Sequence, residues 1–134
     1  MNVELSADRD RLDLDVVHGF LAGHAYWARG IARSVVEASV RGSWCVGAYD
    51  GGAQVGFARL AGDRATYAWL CDVFVLPGHR GRGTGDRLVA AAVARARADG
   101  VRRVMLATSD AHALYRRHGF GEPRAGLFME LPCG

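Results

Sequence analysis

The sequence contains no lysine, because all 17 of its basic residues are arginine. This absence excludes a P-loop, which needs a phosphate-binding lysine, and any Schiff-base lysine enzyme. Cysteine is scarce: three residues without a Cys-x-x-Cys pair exclude a disulfide framework and a four-cysteine zinc site. No apolar run approaches the roughly 20 residues of a membrane-spanning helix, and the first residues form no apolar signal segment. We therefore expect a cytoplasmic protein without a membrane partner.

The 134 residues suit one domain of ordinary size, so we expect a single domain over residues 1–134. Half of the residues are apolar and 23% are charged, which is typical of a folded globular domain. The formal charge is only +3 and is dispersed along the chain, except for one basic stretch at residues 79–87. A nucleic-acid-binding protein usually presents a broader basic face, so we expect an anionic small molecule as partner and no nucleic acid.

Hydrophobic periodicity predicts an α/β protein, a mixed sheet with helices on both faces. Apolar residues at helical spacing predict two early helices, at residues 12–21 and 31–40, on either side of an aromatic loop. Later helices are predicted at residues 84–98 and from an Asp110 cap through His118. The predicted strands are residues 1–5, 43–49, 54–60, 66–76, 103–108 and 126–131.

A glycine-rich segment carries the strongest functional signal. It reads PGHRGRGTG over residues 77–85 and joins a predicted strand to the start of a predicted helix. The first turn of a helix has unpaired N–H groups and partial positive charge, so it binds phosphate, and glycines let phosphate approach the backbone. The dinucleotide fingerprint is excluded, because it needs glycine where Asp86 or Leu88 stands.

What remains is Arg80-x-x-Gly83-x-Gly85, which resembles the acyl-CoA diphosphate motif of the GNAT N-acetyltransferases. A second segment resembles the short helix of that family with the pattern A-x-x-L-Y-x-x-x-G-F. Its fixed positions are occupied here by Ala111, Leu114, Tyr115, Gly119 and Phe120. The resemblance extends from about residue 10 to the end and is to small bacterial single-domain members. This chain departs from many members in having Ser109-Asp110 in place of an asparagine, and in a short C-terminus that must abbreviate the last hairpin.

The resemblance implies the GNAT fold, with a central mixed sheet that a bulge splays in the middle of the strand at residues 66–76. It also implies acetyl-CoA as cosubstrate, whose pantetheine arm would pair with backbone groups near Val73 and Val75. We expect no metal, because no histidine and carboxylate spacing forms a metal-ligand pattern. The expected acetyl-CoA-binding residues are Val73, Phe74, Val75, His79, Arg80, Gly81, Arg82, Gly83, Thr84, Gly85, Asp110, Ala111, Leu114 and Tyr115.

Two residues are candidates for the chemistry. Tyr115 resembles the general acid of the family, which protonates the departing sulfur; from spacing alone it would belong to an ordinary buried helix face. Asp72 is either a desolvated general base or a carboxylate that ties down the bulge or a loop by hydrogen bonds. For the acceptor we expect Tyr26 and Trp27, with His24 and Tyr67, although such aromatic residues often belong to a core.

We therefore predict an acyltransferase that moves an acetyl group directly from acetyl-CoA to the primary amine of a small acceptor with an aromatic or apolar group. Two alternatives stay open: a CoA-binding sensor or regulatory module without catalysis, and an N-acetyltransferase of proteins or peptides. The resemblance also allows a homodimer, through exposed strands near the C-terminus.

Overall fold

The structure is a computed structural model and describes residues 2–134. Its sheet contains β1 (Val3–Ser6), β2 (Ser43–Asp50), β3 (Ala53–Gly62), β4 (Tyr67–Val75) and β5 (Arg103–Met105). Its helices are α1 (Leu14–Gly23), α2 (Arg33–Arg41), α3 (Thr84–Asp99) and α4 (His112–Arg116), and single 3-10 turns lie at Arg9–Arg11 and Pro77–His79. The strands follow chain order across the sheet, and all neighbours are antiparallel except β4 and β5, which run parallel.

Two apolar clusters lie on opposite faces of this sheet. On one face α3 buries Leu88 and Val89 against β2, β3 and β4. On the other face α1 and α2 bury Val17 and Val36 around the fully buried Phe57 of β3. Each helix presents one apolar stripe to the sheet, as a surface helix must. The predicted α/β architecture with helices on both faces is confirmed.

A bulge interrupts β4 in its middle, as the GNAT resemblance implies. Phe57 of β3 pairs with Phe74, and Arg59 pairs with Cys71, so β4 has one more residue than β3 between these pairs. Within the bulge Asp72 takes a left-handed backbone conformation, with φ of 55°. Residues other than glycine rarely adopt this conformation. At the bulge it changes the direction of the strand and of the side chain that Asp72 carries.

The sheet opens next to the bulge. The parallel pairing of β4 with β5 ends at Trp69 and Met105, whereas β4 continues to Val75. A cleft therefore separates residues 70–75 of β4 from residues 106–109, which follow β5; we call this space the cleft. The splayed sheet expected for the GNAT fold is confirmed, and the cleft leaves one side of β4 without a neighbouring strand.

The predicted last strand at residues 126–131 is wrong. Gly126 has φ of 77°, and the Leu127 N–H donates to the Arg124 carbonyl at 3.3 Å, so the chain turns where the strand would begin. Among residues 2–134 no strand pairs with this segment, and the sheet ends at β5. β5 is also shorter than predicted, because its pairing stops where the cleft begins. Met1 of the predicted first strand lies outside the described residues.

The short helix α4 begins later than predicted, and Asp110 does not cap it. Ala111 is the residue at its N-terminus and makes no side-chain cap. Thr108 instead closes the turn that precedes α4, because its Oγ1 accepts hydrogen bonds from the N–H groups of Ala111 (3.0 Å) and Asp110 (3.4 Å). Threonine and aspartate side chains can both close such a turn, so the sequence does not show which of the two does so. Within residues 2–134, no helix has the length and apolarity to cross a membrane.

Candidate active site

The glycine bend, residues 80–85, leads from the end of β4 into α3. Gly81 and Gly83 have φ near 80°, which glycine adopts without strain. A Cβ atom at either position would meet nothing within 4 Å, so the backbone here faces open space. Gly83 is the N-cap of α3 and supplies no side chain to cap its first N–H groups. This open helix start has the shape and the polarity that suit a diphosphate.

Arg80 is fixed at the junction of the bend and the cleft. Its Nε donates to the Val75 carbonyl at 2.9 Å. The next N–H along the chain, of Leu76, donates to Val55 of β3 at 2.8 Å. Because a strand carbonyl and the following N–H point in opposite directions, the Val75 carbonyl faces away from β3 and into the cleft. Arg80 is therefore bonded to the side of β4 that lines the cleft.

Two other basic residues near the bend have partners elsewhere. His79 Nε2 lies 3.1 Å from Asp50 Oδ2 at the end of β2. Arg87 Nη1 donates to the Val3 carbonyl of β1 at 2.7 Å, so this guanidinium points toward β1 and not toward the bend. Thr84 is buried at the start of α3. Arg80, rather than Arg87, is therefore the arginine that the geometry aligns with the cleft.

Tyr115 lies on α4 with its ring half-buried. It packs edge-to-face on Phe120, with ring centroids 5.8 Å apart. Burial raises the pKa of its hydroxyl to about 12, and Tyr26 and Asp110 nearby add to the shift. The hydroxyl consequently keeps its proton throughout the neutral range, as a proton donor must.

An ion-pair cluster fixes α4 to the start of α3. Asp86 in the first turn of α3 accepts hydrogen bonds from Arg117 (3.1 and 3.2 Å) and lies 2.9 Å from His118 Nε2. The hydrogen bond from Arg117, followed by that from His118, lowers the pKa of Asp86. We did not predict this cluster from the sequence, because its members are 31 and 32 residues apart. Its effect is to hold the helix of Tyr115 at a defined place beside the glycine bend.

A second cluster joins the α1–α2 loop to the bulge. Trp27 Nε1 donates to Asp72 Oδ1, and Arg59 Nε donates to Asp72 Oδ2, both at 2.9 Å. Arg59 Nη1 donates in turn to Ser43 Oγ at 3.0 Å. The side chains of Arg59 and Asp72 are only 18% and 11% exposed, so this ion pair is largely screened from water. Both carboxylate oxygens of Asp72 therefore have strong partners.

The same loop also bonds to the far side of the cleft. Tyr26 Oη accepts a hydrogen bond from the Ser109 N–H at 3.0 Å, whereas Trp27 is bonded to Asp72 in β4. The two aromatic residues consequently bridge the cleft, one on each wall. Their rings pack edge-to-face with centroids 5.0 Å apart, and both remain nearly half exposed. This pair forms an aromatic surface at the mouth of the cleft.

Simple alternation along β4 would place the side chains of Cys71 and Asp72 on opposite faces of the sheet. The left-handed backbone of Asp72 instead turns its carboxylate to the side of Arg59, which pairs with Cys71. Burial raises the pKa of the Cys71 thiol to about 12. A neutral thiol is a poor nucleophile, so Cys71 is not suited to attack a thioester.

The remaining predicted residues are dispersed. His24 lies at the C-terminal end of α1, exposed, with its ring 5.7 Å from Phe20. Tyr67 begins β4, five residues before Asp72, or about 16 Å along the strand. Asp110 is exposed and precedes α4, whereas Leu114 is half-buried in the cluster on the α3 face. The structure thus groups Tyr26, Trp27, Asp72 and Tyr115 around the cleft and leaves Tyr67 apart.

Known proteins share this architecture and much of this sequence. The family model described as acetyltransferase (GNAT) family matches residues 38–120. A crystal structure of a Xanthomonas campestris pv. campestris protein, assigned as an acetyltransferase of the GNAT family, is 42% identical; the alignment covers 99% of this chain and 94% of that one, with a TM-score of 0.93. A Gibberella zeae protein assigned as an acetyltransferase is 27% identical over 140 residues, which is 88% of this chain and 75% of that protein.

A Staphylococcus aureus protein of 20% identity has the same fold, with a TM-score of 0.81 and coverage of 99% of both chains. The family match spans the whole region from β2 to Phe120, which includes the bulge, the glycine bend and α4. The chain therefore belongs to the GNAT acetyltransferase family, and the expected resemblance is confirmed.

Proposed function

We propose that this protein is an acetyl-CoA-dependent N-acetyltransferase that transfers the acetyl group directly to the primary amine of a small acceptor. The observation that carries this proposal is the cleft at the β4 bulge. At one end of the cleft lies the glycine bend with open backbone, and at its mouth lie Tyr26 and Trp27. Tyr115, still protonated at neutral pH, belongs to the helix that Asp86 fixes beside the bend.

The residues around the bend fit an acyl-CoA molecule. The N–H groups at the start of α3 and the guanidinium of Arg80 would hold the diphosphate, with Arg82, Thr84 and Gly85 in the same segment. The backbone of Val73 and Val75 would pair with the pantetheine arm as an added strand, since this side of β4 has no neighbour. When bound, acetyl-CoA supplies an activated thioester, the source of the acetyl group.

Tyr115 acts as the general acid in this proposal. The neutral amine attacks the thioester carbonyl and forms the C–N bond, and collapse of the adduct breaks the C–S bond. The departing sulfur takes the proton of Tyr115, and the nitrogen, which carries an extra proton after the attack, returns one to the Tyr115 phenolate through water. The raised pKa of Tyr115 keeps that proton available at neutral pH. No covalent enzyme intermediate is required, which agrees with the neutral, partly buried thiol of Cys71.

Asp72 serves in this proposal to position the acceptor loop. Its two oxygens accept hydrogen bonds from Arg59 and Trp27, which leaves it poorly placed to take a proton from an amine. The acceptor amine would then reach the cleft already neutral, through exchange of its proton with water. This role corresponds to the second of the two alternatives for Asp72.

The exposed pair of rings at the cleft mouth favours an acceptor with an aromatic or apolar group beside its amine. Tyr26 and Trp27 offer two ring surfaces at an edge-to-face angle of 85°, against which such a group can pack. The unprotonated amine would point inward, between Asp72 and Tyr115. The proposal gives no role to His24, at the end of α1, or to the exposed Tyr67, at the start of β4.

The proposal is tested by following acetyl-CoA-dependent thiol release with a panel of aryl, alkyl and polyamine acceptors and with peptides. We expect turnover with arylalkylamines and much slower turnover with polyamines. Turnover with peptides alone would favour a protein acetyltransferase. CoA binding without turnover on any acceptor would instead favour a sensor module and contradict the enzymatic proposal.

A further inference from the structure

One part of the sheet face that carries α1 and α2 is open. Ala68 and Leu70 of β4 belong to the apolar cluster on the α3 face. The residues that alternate with them therefore point to the opposite face: Tyr67, Trp69 and Cys71. Among residues 2–134, the apolar cluster of α1 and α2 contains none of these three side chains. Tyr67 is 40% exposed and Trp69 is half-buried, so aromatic surface is accessible along the first half of β4.

β5 continues this surface on one side. Arg103 lies beside Tyr67 in the parallel pairing, and Met105 lies beside Trp69. Residues paired across two strands point to the same face of the sheet. Val104, between them, belongs to the cluster on the α3 face, which agrees with this orientation. We use the term open face for the side chains of Tyr67, Trp69, Cys71, Arg103 and Met105.

The open face begins at the reacting end of the cleft. Cys71 directly precedes Asp72, to whose carboxylate Trp27 donates at 2.9 Å. Burial accounts for most of the raised pKa of Tyr115, and Cys71 is among the nearby groups that add to it, so the thiol lies near the proposed general acid. A molecule with its amine between Asp72 and Tyr115 can therefore extend over Cys71 and along Trp69.

Arg103 lies at the far end of the open face with an uncompensated charge. It forms no ion pair with a carboxylate of residues 2–134, and its guanidinium carbon lies 5.5 Å from the centre of the Phe128 ring. Such a ring can hold the direction of a guanidinium group without cancelling its charge. In the adjacent cavity of about 700 Å³, Arg103, Arg116 and Arg124 face a single lining carboxylate, that of Glu122. This end of the open face therefore attracts anions.

The two ends of the open face set the chemistry of a ligand that spans them. Tyr67 and its neighbour Arg103 lie four residues along the strand from Cys71, which is about 13 Å. Arginine binds both carboxylates and phosphates through paired N–H donors. We propose that the acceptor amine carries an acid group, a carboxylate or a phosphate, at the end away from its nitrogen, and that Arg103 binds this group. The proposal rests on the acetyltransferase function proposed above and adds the acid group to the aromatic or apolar acceptor.

Paired acceptors test this proposal. The probes are benzylamines with an alkyl tether of increasing length at the para position, which ends in a carboxylate or in a phosphate monoester. Each is compared with its fully esterified, uncharged counterpart of the same length in acetyl-CoA-dependent thiol release. With the wild-type protein we expect kcat/KM to be at least tenfold higher for the acid than for the ester at the best tether length, through a lower KM. The series with the larger ratio identifies the acid that the site prefers.

Substitutions at the far end of the open face assign the effect to one side chain. Arg103→Gln should bring the KM of the acid close to that of the ester, so that the preference disappears. Arg102→Gln is the matched control, because it removes the same charge one residue away, from a side chain that alternation directs to the α3 face; it should keep the preference. Arg103→Glu should reverse the preference in favour of a tether that ends in a trimethylammonium group.

The outcomes separate this inference from the function on which it rests. Equal kcat/KM for acid and ester in the wild-type protein would overturn the role of Arg103 and leave the acetyltransferase proposal in place. A preference for the acid that persists in Arg103→Gln, or that disappears equally in Arg102→Gln, would overturn that role as well. Absence of turnover with every amine would contradict the proposed function itself, and this inference with it.

Discussion

Trp27 and Asp72 are 45 residues apart in the sequence, yet the indole N–H of Trp27 donates to a carboxylate oxygen of Asp72 at 2.9 Å. This hydrogen bond joins the loop between α1 and α2 to the bulge of β4. The second oxygen of Asp72 pairs with Arg59, so the position of the loop depends on a largely buried ion pair. The aromatic surface for the acceptor is therefore fixed to the same strand that lines the cleft.

Trp27→Phe tests the positioning role of this hydrogen bond. The substitution keeps an aromatic ring but removes the N–H, so the loop loses its bond to Asp72. We expect the KM of the acceptor to rise about tenfold, the equivalent of ~1.4 kcal/mol, with the Kd of acetyl-CoA unchanged. The control is Trp44→Phe in β2, which packs at the other face of the sheet. An unchanged KM would show that the hydrogen bond has no part in acceptor binding.

Asp72→Asn separates the two roles of Asp72. If Asp72 only positions the loop, its replacement should leave the rise of kcat/KM with pH unchanged, because that rise reflects the deprotonation of the acceptor amine. We expect a loss of stability of roughly 3 kcal/mol, since Arg59 then lacks its counter-charge in a largely buried site. Adding Arg59→Met should recover part of that loss in denaturant unfolding. Disappearance of the ascending pH limb in Asp72→Asn would instead identify Asp72 as the base.

Tyr115→Phe should lower kcat at least tenfold, about 1.4 kcal/mol of barrier, and leave the Kd of acetyl-CoA nearly unchanged. The pH dependence follows from the raised pKa. The hydroxyl is protonated below its pKa of about 12, so the wild-type enzyme should keep its proton donor to pH 10 and above. Measurements of kcat for both proteins at several pH values check the effect of the substitution and the retention of the proton donor. A loss of activity near pH 9 that is present in the wild type and absent in Tyr115→Phe would contradict this assignment.

Asp86→Asn should lower the thermal midpoint at neutral pH, because it breaks the contacts with Arg117 and His118. The folded-state pKa of Asp86 is below its ordinary value, so its contribution to stability is present above about pH 4 and is lost as the pH falls through the folded-state pKa. The difference from wild type should thus shrink below pH 4. Glu122→Gln, at an exposed and long ion pair, should match the wild type throughout. A difference that is constant with pH would contradict the account.

The local patterns of the sequence are sufficient for much of this fold. The Asp50-Gly51-Gly52 signal and the alternation of β2 and β3 fix that hairpin, and the glycine bend marks the start of α3 by its backbone chemistry alone. The family motif locates Tyr115 because α4 is a local element. These features depend on residues that are close to one another in the chain, and a sequence pattern describes such local relationships.

The missed features depend on distant pairs. The contact of Arg59 with Asp72 requires the register of β3 with β4 on both sides of a bulge, and the left-handed backbone of Asp72 reverses the face that alternation predicts. Asp86 meets Arg117 and His118 only after the chain passes through β5. The strand expected at residues 126–131 has the correct alternation, but the chain turns at Gly126 and the segment pairs with no strand among residues 2–134.

The proposed function depends on the binding of the acetyl-CoA diphosphate by the open backbone at the glycine bend. Calorimetric titration of the Gly83→Ala and Gly100→Ala variants with acetyl-CoA tests this binding. The two glycines lie at opposite ends of α3, and both have φ near 75–78° with open space at the Cβ position, so they form a matched pair. Each substitution should cost about 1 kcal/mol of stability through backbone strain. We predict that only Gly83→Ala weakens acetyl-CoA binding, by at least tenfold, while Gly100→Ala binds like the wild type. Equal affinity of the two variants, or no binding by the wild type, would contradict the account.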